Sequence, residues 1–169
     1  MNGALLARFE QRGGRTELVR LRCQPPLQAL RALRAGSAAE LVVATLGPGL
    51  MGGDLTRLEV EAGADTEVRV GSTGATRVLT ARGWRGATAE VSLVAGDGAR
   101  LTYRPRPTIL QAGACYRQRI EIRPPAAGPT FMMEVIVAGA FGAQACQAEK
   151  IRAAWDCDSF QDTPNTRAV

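Results

Sequence analysis

The sequence predicts an all-β protein of stacked strand-turn-strand layers, a β-helix or sandwich-like scaffold carrying one or two short helices. Three observations lead there. Short runs alternate apolar and polar residues with the two-residue period of a strand that buries one face. The segments "LEVEAGADTEVRV", "VSLVAGDGARLTY" and "IEIRPPAAGPTFMMEV" each place a strand, an Ala-Gly corner and a second strand in order, with the Ala-Gly pairs at 62–63, 95–96 and 127–128. These pairs recur at two nearly equal intervals, of the length that marks stacked supersecondary units. Finally, helical spacing is confined to two segments.

Taken in chain order, "TELVRLRC" (16–23) alternates imperfectly, whereas "RLEVEA" (57–62), "TEVRV" (66–70), "AEVSLV" (89–94), "ARLTY" (99–103) and "RQRIEIR" (117–123) keep the period better. "PPLQALRALR" (25–34) opens on proline and repeats leucine at 27, 30 and 33, which suits a short helix or a loop that turns Leu30 and Leu33 inward. "AQACQAEKIRAAW" (143–155) is rich in helix formers, and the closing "DCDSFQDTPNTRAV" has no periodicity. At 169 residues one principal domain is the default, a β scaffold over 1–142 followed by a helical or disordered tail over 143–169.

Composition narrows the chemistry. The chain holds no histidine, which excludes Ser-His-Asp and Cys-His catalysis within it and removes imidazole ligands from any metal site. Its four cysteines, Cys23, Cys115, Cys146 and Cys157, include no CxxC pair and read as reduced, partly buried small side chains. No run of eighteen apolar residues exists, and Arg8 and Glu10 interrupt the N-terminus before a signal-peptide core can form, so a cytoplasmic protein without a membrane partner is expected. The formal charge of +5 sits in the first 35 residues, where seven Arg meet two Glu; residues 36–169 carry fourteen basic and fourteen acidic groups. Arginines solvating edge strands account for this. A nucleic-acid- or partner-binding β module using these strands is the alternative, but stacking on bases wants interleaved aromatics and this stretch has only Phe9.

Candidate sites start at "GPGLMGGDLT" (47–56). The letters of a nucleotide loop are present, yet a P-loop needs GxxxxGK[ST] and a dinucleotide fingerprint must open a helix; here no lysine occurs and a strand pattern follows. The segment therefore reads as a β-loop whose glycines permit positive φ and whose end presents Asp54. "GSTGATRVLT" (71–80) reads as a turn, since Ser72 and Thr73 lack an activating base. Glu134, the one acid of "TFMMEVIVAGAFG" (130–142), is either exposed at a strand edge or lines a polar cavity. A hydrolase built on the pair Asp54 and Glu134 is a further reading, which needs a separation that sequence does not give.

In order, "LARFEQRGGRTELVRLRCQPPLQALR", "LGPGLMGGD", "GSTGATRVLT", "ARLTYRPRPTILQAGACYRQRIEI" and "FMMEVIVAGAFG" resemble the urease accessory protein family UreD, also called UreH, collinearly from about residue 4 to 142. The Gly52-Gly53-Asp54 end of the loop is the most specific element, backed by the segment from Pro105 through Ile109 to Gly113. The resemblance implies a non-catalytic scaffold of urease maturation that binds apo-urease and a UreF-type protein, with a UreG-type GTPase delivering nickel through the assembly. No tightly bound cofactor is implied, only nickel in transit. Asp54, Glu134 and Thr76, which precedes the basic Arg77, fall on motif positions thought to line an ion path, and oxygen donors suit such transient passage. The chain departs from the family in reading "ATLGPG" where a His-Pro pair is usual, and in lacking the family's C-terminal third, which leaves an inactive truncated remnant as the other alternative.

Overall fold

The computed structural model describes residues 1–80, 85–125, 130–132, 136–138 and 151–153. Every regular element in them is a strand: β1 (Asn2–Arg12), β2 (Arg15–Gln24), β3 (Leu27–Ala35), β4 (Ala38–Thr45), β5 (Leu55–Ala62), β6 (Glu67–Ser72), β7 (Thr76–Val78), β8 (Ala87–Ala95), β9 (Arg100–Arg104), β10 (Thr108–Leu110), β11 (Tyr116–Arg123), β12 (Thr130–Met132), β13 (Ile136–Ala138) and β14 (Ile151–Ala153). They form three sheets. Sheet A has the order β14-β11-β8-β5-β1-β2, sheet B the order β12-β9-β6-β4-β3, and sheet C the order β13-β10-β7.

Successive strands visit A, B and C in turn, so β5-β6-β7, β8-β9-β10 and β11-β12-β13 are three coils of a β-helix stacked in parallel. Alternation explains how each coil closes around a core. In "LTRLEVEA" of β5, Thr56, Leu58, Val60 and Ala62 are buried while Arg57, Glu59 and Glu61 face water. Stacking then aligns like with like, as Leu5, Leu58, Val91 and Ile120 follow one another across β1, β5, β8 and β11. The main core fills the angle between sheets A and B, around Phe9, Leu41, Leu93 and Leu101. A second cluster, with Leu50, Val78, Leu110 and Tyr116, packs beside sheet C.

The corner between A and B repeats because it stacks on itself. Gly63 donates its amide to Phe9 at 2.9 Å and Gly96 to Ala62 at 2.8 Å, and a Cβ on Gly96 would lie 2.9 Å from the Ala64 nitrogen. The first interval of the sequence repeat holds, since Ala62 of one Ala-Gly pair lies directly against Ala95 of the next. The second does not match the next coil. Thr88 pairs with Arg117 and Leu101 with Thr130, in both cases a shorter step along the chain than the interval from 95–96 to the Ala-Gly at 127–128, which lies outside the described residues.

Two antiparallel hairpins, β1-β2 and β3-β4, close the N-terminal end of the stack. The helix expected over 25–34 is replaced by β3. Pro25 and Pro26, joined by a cis peptide, form a turn rather than a helix start. Of the two three-residue leucine steps, Leu27 to Leu30 is in regular register and leaves Leu30 exposed rather than turned inward, and Leu30 to Leu33 spans an irregularity where one extra residue enters the strand. Pairing along β4 overrides a helix propensity that is a weak prior. Of the second expected helix, 143–155, only Ile151–Ala153 are described, and they pair in parallel with β11 as a strand.

Candidate functional site

The loop 47–54 lies in the connection from β4 of sheet B to β5 of sheet A and runs past the edge of sheet C. Leu50 is its anchor, fully buried and bridging to sheet C: its amide donates to the Arg77 carbonyl at 2.8 Å and its own carbonyl accepts from Leu79 at 2.8 Å. Gly49 sits so close to Arg77 that a Cβ would fall 2.5 Å from the Arg77 carbonyl oxygen, and its φ of +144° is one that glycine adopts freely. Gly52 is exposed in the turn, and Gly53, at φ +85°, donates to the Gly86 carbonyl at 3.1 Å.

Asp54 is buried at the end of this loop. Its Oδ1 accepts from the α-ammonium of Met1, and its Oδ2 accepts from the Met51 amide at 2.9 Å. Burial alone would raise its pKa. Hydrogen bonds from the ammonium and from Met51, with the ammonium's charge, outweigh that and hold the carboxyl below its ordinary value. Asp54 thus ties the loop to the start of β1, where Leu55 donates to the Met1 carbonyl at 2.9 Å.

Between the two core clusters lies a cavity of ≈ 80 Å³ whose mainly apolar wall, with Leu27, Leu50, Leu58 and Val91 in it, also carries polar side chains. Thr45, Thr56, Ser72, Thr76, Thr108, Tyr103, Tyr116 and Gln118 line it, with Arg106 and Pro105 at one side. Its volume and lining have room for more than one water molecule. The carboxylate among its walls is Glu90, which accepts from Arg57 at 2.7 Å on the outer face of sheet A. Asp54 is not among the lining residues, so Asp54 and Thr76 do not share this space. Glu134 lies outside the described residues. Thr76 pairs with Thr108 across the parallel ladder, and Arg77 pairs with Ile109. Gly113, at φ +70°, shapes the turn in which the Ala114 amide donates to Gln111 at 2.9 Å.

Sequence reading missed Thr56, Thr108 and Gln118. A signal for two of them exists: Thr56 and Gln118 occupy the inward parity of strands whose other inward residues are apolar or aromatic. Polar residues at inward positions are what line an internal polar space. Among the described residues, no three His, Cys, Asp or Glu side chains come together, and no helix is long and apolar enough to cross a membrane. Phe9, the one aromatic of the arginine-rich N-terminal stretch, is fully buried and offers no face for stacking.

The sequence model of the family described as UreD urease accessory protein matches residues 1–164. The chain belongs to the UreD urease accessory protein family. The match continues past residue 142 into the segment whose resemblance was not legible by motif. A urease accessory protein UreD of Deinococcus radiodurans is 35% identical over 139 residues, covering 81% of this chain and 50% of that protein. UreD 1 of a Synechococcus species is 37% identical over 110 residues, 65% of this chain and 41% of its own length. UreD 2 of Streptomyces griseus is 31% identical over 142 residues, 81% and 48% respectively. This UreD-family chain therefore spans about half the length of the curated relatives it matches.

Proposed function

We propose that the chain acts in urease maturation as a non-catalytic β scaffold in the cytoplasm, assisting nickel insertion into apo-urease together with UreF-type and UreG-type accessory proteins. The observation that carries this reading is the UreD family match over residues 1–164. The polar side chains in the cavity wall support the ion-handling part. Neutral hydroxyl and amide oxygens are poor holders of a soft or borderline divalent ion, so a space walled by Thr56, Thr76, Thr108 and Gln118 suits passage better than retention. Asp54 and Glu134 serve that passage in this reading, Asp54 by fixing the loop beside Leu50 and Glu134 from the segment after β12.

Co-expression with urease subunits and the accessory proteins tests the assembly. The chain is expected to co-purify with apo-urease and to support nickel loading in cells that lack their own UreD; if it does neither, the scaffold reading fails. Within cells where it does, Asp54→Ala, Glu134→Ala and the near-isosteric Thr56→Val and Thr108→Val are expected to lower nickel incorporation while the purified variants keep the wild-type circular dichroism spectrum. Unchanged nickel content in all four sinks the ion route.

A further inference from the structure

Charge is distributed by sector in the folded chain, although the sequence from residue 36 onward is balanced overall. Residues 41–53, 68–89 and 98–120 contain nine arginines and no Asp or Glu. Strand register brings much of these three stretches together: β6 stacks on β9, β7 on β10, and Leu50 bridges to Val78. The acids lie elsewhere, with Glu59, Glu61, Glu90 and Glu121 on the strands of sheet A.

Within the acid-free sector is a surface cleft of ≈ 190 Å³ where the 47–49 loop meets the 72–77 turn. Thr45, Thr73, Thr76, Arg77 and the glycine-rich backbone line it, and no acid does. Among the described residues, the amides of Gly47, Gly49, Gly74 and Ala75 donate no hydrogen bond within the protein, and Arg77 and Arg106 form no ion pair. Ser72 is already committed, accepting from the Arg106 amide at 2.8 Å and donating to the Gly74 carbonyl at 3.2 Å, which fixes the shape of the turn.

A solvated turn would account for the glycines alone. It does not account for an arginine without an acid beside a ring of open amide and hydroxyl donors. Donors of this kind, brought together by loop backbone and one guanidinium, are complementary to oxygen-bearing anions and repel cations. We propose that this cleft binds a small oxyanion, a phosphate or carboxylate group, with Arg77 supplying the charge and the amides of Gly47, Gly49, Gly74 and Ala75 the hydrogen bonds. The proposal does not depend on the urease reading.

Isothermal titration of the full chain at low ionic strength, with inorganic phosphate and separately with acetate, tests it. Saturable one-site binding of at least one anion is expected, with amide NMR shifts at Gly47, Gly74 and Ala75; the two arms separate a tetrahedral from a planar group. Arg77→Ala should weaken binding about tenfold or more, and Thr73→Val by less, because a charged hydrogen bond outweighs a neutral one. Arg57→Ala, on the far face of sheet A, should leave the affinity unchanged. Absence of saturable binding by both anions overturns the proposal. So does an affinity untouched by both Arg77→Ala and Thr73→Val in variants that melt as the parent does.

Discussion

Two single residues in the 47–54 loop carry opposite kinds of constraint. Asp54 is an electrostatic tie: its folded pKa lies below its ordinary value, so its contribution to stability is full above the unfolded pKa and is lost as pH falls through the folded one. Asp54→Asn is therefore expected to cost about 1–3 kcal/mol at pH 7, from weakened hydrogen bonds to a charged acceptor. The deficit should shrink in acid as the parent carboxylate is itself protonated, and so be smaller in a measurement at about pH 3 than at pH 7. Urea unfolding at both pH values checks this, and an equal deficit at both would refute it. Gly49 is a steric tie instead. Gly49→Ala puts a methyl 2.5 Å from the Arg77 carbonyl at a φ of +144° and should cost about 2 kcal/mol or more. Gly74→Ala, which has open space and no positive φ, should stay within about 0.5 kcal/mol of the parent. Here the sequence was informative about the residue but not its use. The loop's glycines and acid marked a shaped turn, while the partner of Asp54, the Met1 ammonium just before β1, is 53 residues away in sequence and no pattern encodes it.

At the scale of elements, alternation was legible wherever one face of a strand meets the core and the other meets water. β5, β8 and β11 follow it without a break. It failed at β3, because Leu30 is an exposed leucine on the face opposite the buried Leu27, and the extra residue between Leu30 and Leu33 then prolongs the three-residue spacing of a helix. The faces can be tested on β8. Leu93 is fully buried and stacks between Val60 and Ile122, so Leu93→Ala should cost about 2–5 kcal/mol in chemical denaturation. Its neighbour Ser92 stacks between Glu59 and Glu121 on the outer face, and Ser92→Ala should shift stability by no more than about 0.5 kcal/mol. Comparable losses for the two would contradict the assignment of inward and outward positions. The polar cavity was less legible than the apolar core for a related reason. A threonine at an inward position is indistinguishable in one sequence from a threonine that merely favours strands, and only the third sheet shows that Thr56 and Thr108 line a common space.

The whole molecule is a stack whose coils differ in length at some corners and not at others, and this difference predicts where it tolerates change. Leu55 pairs with Thr88 and Glu67 with Arg100 at the same interval along the chain, Thr76 with Thr108 at a slightly shorter one, and Thr88 with Arg117 at one shorter still. The corner from A to B thus keeps its length from the β5 coil to the β8 coil, whereas the connection from C to A contracts, from 79–86 in one coil to 111–115 in the next. The constant corner is the one held by backbone hydrogen bonds from coil to coil, including Asp65 to Asp97 at 2.9 Å and Arg100 to Thr66 at 2.7 Å. That is why its Ala-Gly repeat could be read in the sequence at 62–63 and 95–96, whereas the next coil is shorter than the interval from there to the pair at 127–128. A Gly-Ser insertion after Thr80, in the connection that already varies, should leave the chain folded with a melting temperature lowered by a few degrees, about what a loss near 1 kcal/mol produces in a domain of this size. The same insertion after Asp65 displaces every residue from Thr66 onward relative to the coil stacked on it. It breaks the corner's coil-to-coil hydrogen bonds and moves the buried Thr66 and Val68 out of register with Ala99 and Leu101, and should abolish the cooperative transition. Thermal melts of the two insertion variants, followed by circular dichroism, decide it: equal tolerance at both corners would mean that the stacked Ala-Gly corner does not set the register of the β-helix.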